Sequence, residues 1–450
     1  MAPPIIARRR FLAVVAAGLA LAVGAPLPAA PASASPAPAS PAFASPAFAS
    51  AAGGDSRVTG TWGTAPTGAA VAPVPSVVFA DQTLRQIVHT SVAGRSPRVH
   101  FSNVYGTQPL VIGEARLARH AGGSAITPAT DRRLTFGGRA STTIAPGRSA
   151  VSDPVPVAVP ATSDWVVSTY LPRRTVAATL HSSAYQTNYL AAGNVTRSAA
   201  LPAATTTTSW YFLSDLSVTV SPRGSSVVAF GDSITDGAIT TVDANRRWPD
   251  RLAARLQAEP ALRTVGVLNK GIGGNRLLHD GNTLPDTDFA GIGPIFGDSA
   301  LSRFDRDVLR APGARHVIVL LGINDIGQPG STSPASEAVT VAQLIAAHRR
   351  LIARAHARGL RIYGGTLTPF ADTTIPGYYT PEREAQRQAL NRWIRTSGAY
   401  DAVLDFDRAV RDPAAPARML PAYDSGDHLH PNDAGMQAMA DAIPLRLFTR

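Results

Sequence analysis

The sequence predicts an all-β sandwich of jelly-roll type followed by an α/β domain whose parallel sheet carries helices on both faces. Two patterns carry that expectation. From about residue 58 to 220, short alternating apolar segments are separated by Gly, Pro or Asn, with no long 3.6-residue period. From residue 224 onward, buried-strand runs alternate with helical patterns, which implies parallel strands. At 450 residues, 45% hydrophobic and 16% charged, the chain suits an ordinary soluble protein of two or three domains.

Arg8-Arg9-Arg10-Phe11-Leu12 opens an apolar run over residues 11–25, and small residues including Ala32-Ser33-Ala34 follow. This predicts an export signal over residues 1–34, of general secretory type or, from the arginines ahead of Phe-Leu, of twin-arginine type. The run is short for a membrane span; an uncleaved anchor is the lesser alternative. The expected location is extracellular, with no stable membrane insertion once the signal is cleaved. Residues 35–55 repeat Ala-Ser-Pro-Ala-Phe and form a Pro-, Ala- and Ser-rich linker.

The sandwich is expected over residues 56–222, with strand segments such as Arg98-Val99-His100-Phe101, Leu134-Thr135-Phe136, Asp164-Trp165-Val166-Val167-Ser168-Thr169-Tyr170 and Trp210-Tyr211-Phe212-Leu213. The α/β domain is expected over 223–450, with buried strands near 226–230, 264–268, 316–321, 360–366 and 402–406. Its clearest helix spans 337–358, where Val341, Leu344, Ile345, His348, Leu351, Ile352 and Ala355 share one face and Gly359 stops it.

Composition removes several function classes. There is no cysteine, which excludes disulfides, thiolate metal sites and a cysteine nucleophile. The net charge of +11 falls to about +8 once Arg8, Arg9 and Arg10 are set aside, and Lys270 is the only lysine. Biased residue usage explains an Arg-rich chain without nucleic acid, and no basic run interleaved with aromatics follows residue 10, so no nucleic-acid partner is expected.

Four short blocks fall in order along the second half: Gly231-Asp232-Ser233, Asn269-Lys270-Gly271-Ile272-Gly273-Gly274, Gly322-Ile323-Asn324-Asp325 and Asp427-His428-Leu429-His430-Pro431. The first three each follow a strand run and the fourth follows the last strand after a longer loop. In parallel sheets ligands bind beyond the carboxyl ends of the strands, so all four blocks are placed to share one crevice. Ser233 at a strand-to-helix turn exposes a hydroxyl beside helix N–H groups. A second tripeptide, Gly297-Asp298-Ser299, has no clean strand ahead of it, and Ser299 reads as an N-cap. His430 is the candidate base with Asp427 three residues before it, and His428 is its rival. Taken alone, the same loop is equally a polar turn, or a metal site built from Asp424, Asp427, His428, His430 and Asp433. Gly273 or Gly274 offers a closely approachable N–H, and Asn324 offers either an amide donor or an ordinary turn bond. No P-loop or dinucleotide fingerprint is present.

The ordered series of Ser, Gly, Asn and Asp-x-x-His resembles the SGNH or GDSL hydrolase superfamily over roughly residues 224–450. The resemblance implies a flavodoxin-like α/β fold, Ser233 as nucleophile with Asp427 and His430 completing a triad, and an oxyanion hole from Ser233, Gly274 and Asn324, the family spacing favouring Gly274 over Gly273. It implies no metal and no cofactor. The β-rich half, with Gly60-Thr61-Trp62-Gly63-Thr64-Ala65-Pro66 near its start, is similar to a secreted actinobacterial-type branch that includes xylan-associated arylesterases and acylhydrolases. The expectation is a secreted serine esterase acting through an acyl-enzyme on a small acyl ester, an acetylated plant polysaccharide among the candidates. The alternatives are a lipase or lysophospholipase, or a non-catalytic carbohydrate-binding protein.

Overall fold

β-branched and aromatic side chains pack well on a pleated surface, and the first half of the chain uses them that way. The computed structural model describes residues 56–220, 224–287 and 289–449. The expected signal (1–34), the linker (35–55) and the junction at 221–223 lie outside the described residues.

The principal strands of the first half are β1 (Arg57–Gly63), β2 (Gln82–His89), β3 (Gly94–Ser102), β4 (Glu114–Gly122), β5 (Asp164–Leu171), β6 (Thr179–His181), β7 (Asn188–Ala192) and β8 (Leu213–Val220). One antiparallel sheet is built on β1–β8–β3 and another on β7–β2–β5–β4. Leu84, Val88, Trp165 and Val167 from the second meet Val99, Phe101, Leu216 and Val218 from the first in one core. Two sheets facing one core make a sandwich.

Two local expectations differ. Leu134-Thr135-Phe136 is not a strand: Phe136 only bridges to Arg139, across Gly137 and Gly138 at φ +59° and +78°. Trp210-Tyr211-Phe212-Leu213 is broken at Phe212, whose φ of +60° ends one short strand before β8 begins.

The second half supplies β9 (Ser225–Gly231), β10 (Val265–Gly271), β11 (Ala314–Leu320), β12 (Arg361–Gly365) and β13 (Ala402–Leu404). They pair in parallel in the order β10–β9–β11–β12–β13, the flavodoxin-like arrangement. Its helices are α1 (Ser233–Asp236), α2 (Trp248–Ala258), α3 (Ala300–Phe304), α4 (Ile323–Gly327), α5 (Val341–His356), α6 (Pro381–Thr396), α7 (Phe406–Val410) and α8 (Asp433–Asp441). Helix α5 starts at Val341 rather than 337 because Thr340 and Gln343 form a capping box. Leu344, Ala347, His348, Leu351, Ile352 and Ala355 are buried along it, while Val341 and Ile345 are half-buried.

The two halves touch along β1 and β10. A Cβ at Gly60 would lie 2.7 Å from Leu268, and one at Gly266 would lie 2.2 Å from the Gly60 carbonyl, so glycine permits the approach. Ser91 Oγ bonds the Val267 carbonyl at 3.0 Å, and Lys270 Nζ reaches Asp215 and the Thr64 carbonyl, each at 2.8 Å. Among the described residues no helix is long and apolar enough to cross a membrane.

Candidate active site

Strand β9 lies between β10 and β11; Gly231 closes β9, Asn269, Lys270 and Gly271 close β10, and Ser233, Gly274, Asn324 and His430 all stand past the strands that lead to them. Ser233 begins α1, a single turn entered through Asp232, whose carboxylate accepts from the Ile234 N–H at 3.0 Å. The His430 Nε2 is 2.8 Å from Ser233 Oγ, and its Nδ1 is 2.5 Å from Asp427 Oδ2. A carboxylate only accepts, so Nδ1 carries a proton and, in the neutral ring, Nε2 is left to accept from the serine hydroxyl.

The electrostatics of the pair follow from burial and contact. Burial by itself would lower the His430 pKa, but the Asp427 charge and hydrogen bond outweigh it, and the imidazole is held above its ordinary value. Burial would raise Asp427; the His430 charge, together with bonds from the His430 side chain and from the His430 and Leu429 N–H groups, drives it well below the usual carboxylate range. For Asp232 burial outweighs the compensation, which comes from the Ile234 N–H and the His430 and Arg303 charges. It is fully buried, its Oδ2 has no partner among the described residues, and burial pushes its carboxyl up to about 7.

The donors come from the next two strand ends. Gly273 gives its N–H to Asp236 Oδ2 at 3.1 Å, whereas the Gly274 N–H has no partner among the described residues. Gly274 sits at φ +72°, and a Cβ there would strike the Phe296 ring at 2.5 Å, so this position excludes a side chain twice over. The Asn324 amide oxygen accepts from Tyr378 Oη at 2.7 Å and Gln328 Nε2 at 3.1 Å. Its nitrogen donates to the Asn275 carbonyl at 3.0 Å, which leaves one N–H unspent. The Asn324 amide therefore spends one N–H not within its own turn but on a carbonyl 49 residues away, and still keeps a donor.

Residues 229–438 match the GDSL-like Lipase/Acylhydrolase family. The chain carries a GDSL-like lipase/acylhydrolase domain. No curated protein matches the chain. Its structure is similar to a GDSL-like lipase from Bacteroides thetaiotaomicron, at 18% identity over 48% of this chain and 84% of that one, with a TM-score of 0.33. It is similar to a carbohydrate acetylesterase from Sinorhizobium meliloti, at 16% identity over 50% and 98%, with a TM-score of 0.36. It is also similar to a catalytic mutant of an acetylxylan esterase from Geobacillus stearothermophilus, at 22% identity over 50% and 94%, with a TM-score of 0.34.

Around Ser233, Gly274, Asn324 and His430 the GDSL domain opens a cavity of about 100 Å³, walled mainly by Phe289, Ile295, Phe296, Ile375, Tyr378 and Leu429. Ser182, Ser183 and Tyr185 of the sandwich complete that wall. Four supporting residues escape a reading of the sequence. Tyr378 and Gln328 fix the Asn324 amide, and Gln328 also bonds the Gly274 carbonyl at 2.9 Å. Asp325 accepts from the Leu277 and Leu278 N–H groups at 2.7 and 3.0 Å, anchoring the segment after Gly274, and burial still pushes it up to about 6. Asp236 is the acceptor for Gly273. Of these four, only Asp325 lies inside one of the four blocks, and Asp236 stands three residues past Ser233.

The rival readings resolve geometrically. His428 pairs not with Asp427 but with Asp424, at 2.5 Å, and its side chain is 44% exposed. Among the described residues no group of three or more His, Asp or Glu side chains is placed to hold a metal ion. Ser299 does occupy the position before α3, but its hydroxyl bonds Ser302 Oγ at 2.8 Å and does not cap the helix.

Proposed function

We propose that this protein is a secreted serine esterase for small acyl esters, acting through an acyl-enzyme. The observation that carries the reading is the line of contacts Ser233–His430–Asp427, at 2.8 and 2.5 Å. Ser233 Oγ attacks the ester carbonyl carbon while His430 Nε2 takes its proton. The Ser233 and Gly274 N–H groups and the Asn324 amide stabilise the resulting oxyanion. The bond to the alcohol oxygen breaks as His430 returns the proton to it. Water, deprotonated by His430, then attacks the acyl-enzyme, and release of the acid restores Ser233. Asp427 holds the imidazole in its working tautomer and stabilises the imidazolium.

Cavity size supports a small acyl group. About 100 Å³ is less than the ~150 Å³ that holds benzene in an engineered protein cavity. Acetyl esters on plant polysaccharide are the proposed substrate class, and the signal-like residues 1–34 are the basis for proposing secretion. A lipase or lysophospholipase would need room for a long chain.

Turnover of nitrophenyl acetate, nitrophenyl octanoate and acetylated xylan, each with a Ser233→Ala control, tests the proposal. Acetate and acetylated xylan should be the better substrates. Octanoate strongly preferred over both would replace the reading with a lipase, and no turnover of any ester would leave only a binding role.

A further inference from the structure

Strand β6 of the sandwich ends at His181, beside the residues that wall the catalytic cavity. Its ring is 3% exposed, with Nδ1 2.9 Å from the Ala65 carbonyl and Nε2 2.9 Å from Asp236 Oδ1. Both partners can only accept, so both ring nitrogens carry protons and the ring is an imidazolium facing a carboxylate. The direction of its pKa agrees: burial lowers it, yet the Asp236 charge and hydrogen bond, with the Ala65 bond, hold it above the ordinary value. Trp210 lies alongside, 5.7 Å between ring centroids, with the Arg247 guanidinium 5.6 Å from the Trp210 ring centre.

Asp236 faces two ways. One oxygen meets His181, and the other accepts the Gly273 N–H at 3.1 Å. The turn rests directly on this residue: a Cβ at Gly271 would lie 2.2 Å from the Asp236 backbone nitrogen. An unbroken chain therefore runs from the Ala65 carbonyl through His181 and Asp236 to Gly273, whose neighbour is Gly274.

We infer that His181 and Asp236 are positioning residues for the Gly273-Gly274 turn, so that the sandwich domain holds part of the oxyanion hole in place. The inference rests on the Gly274 N–H acting as an oxyanion donor in the proposed esterase. A displacement of about 1 Å at such a donor can cost on the order of 10²-fold in rate, which gives the His181–Asp236 contact leverage over turnover. A buried ion pair serving only to join the domains would affect stability and leave the rate per folded molecule alone.

The two roles separate on Asp236. Asp236→Ala removes the acceptor for Gly273. Asp236→Asn keeps an oxygen for Gly273 and offers an amide N–H to Nε2 of a now neutral His181, which still donates to Ala65. With nitrophenyl acetate, and active sites counted by titration with an organophosphonate, Asp236→Ala should lower kcat about 10- to 100-fold with KM within about threefold. Asp236→Asn should recover most of that loss, and His181→Phe should behave like Asp236→Ala. Wild-type kcat per titrated site in Asp236→Ala, or equal losses in Asp236→Ala and Asp236→Asn, would overturn the inference. Ser233→Ala separates the two failures: if it is inactive while Asp236→Ala is normal, only the positioning role falls, and if it is active the esterase site itself falls.

Discussion

Gly231-Asp232-Ser233 and Gly297-Asp298-Ser299 are the same three residues in opposite circumstances. The first ends the inner strand β9, second in the parallel sheet, and opens toward a cavity, with a histidine nitrogen 2.8 Å from its hydroxyl. The second leaves a short 3-10 turn; its aspartate is held by Tyr105 and Arg306, at 2.6 and 2.9 Å, and its serine faces another serine. The Asp/His pairs of the last loop divide the same way. His430–Asp427 and His428–Asp424 both close to 2.5 Å, but only His430 is buried and has a hydroxyl to act on. Composition and contact distance are shared; what differs is how deeply each group is buried and what its free nitrogen or hydroxyl faces.

The contrast is broken most directly at the serines. Ser233→Ala should lower kcat for nitrophenyl acetate by about 10⁶-fold, whereas Ser299→Ala should stay within about twofold. Similar losses in both would dissolve the distinction. Next come the histidine pairs. Neutral His430 is the base, so kcat/KM rises with pH through its folded-state pKa, which Asp427 holds above the ordinary 6.5. Asp427→Asn removes that support: a pH profile should show the acid limb moved to lower pH and a plateau down by about 10⁴-fold. His428→Ala, measured the same way, should leave both features in place. Smaller again are the donors. Asn324→Ala, which removes a side-chain donor, should cost about 10²- to 10³-fold in kcat with little change in KM, read by steady-state kinetics.

Much of this site is legible in the sequence. Ser233, Gly274, Asn324, Asp427 and His430 sit inside short blocks anchored to strand ends, and the strand-and-helix rhythm alone brings such blocks together. Residues reached through tertiary contact leave no comparable trace. Tyr378 meets Asn324 from 54 residues away, and His181 meets Asp236 from another domain, 55 residues earlier. No periodicity relates either pair. The choice between Gly273 and Gly274 is likewise open from the residues alone, because it turns on which N–H is already taken, and Asp236 takes the first. The pairing of His428 with Asp424 is hidden for a simpler reason: the carboxylate lies one helical spacing back, across a loop where His428 adopts φ +59°. In the sandwich, alternation locates β3 and β5, but the break at Phe212 depends on a backbone angle that residue type does not announce.

Lys270 has a practical side. It is the only lysine in the sequence, and its ammonium is enclosed where the sandwich meets the parallel sheet, with 3% of the side chain exposed. Reagents that couple to primary amines therefore find no open lysine on the folded molecule, and labelling or immobilisation by that chemistry falls to the chain terminus. Parting the two halves would uncover a single ε-amine, so the rate at which one label appears there measures how often the domains come apart.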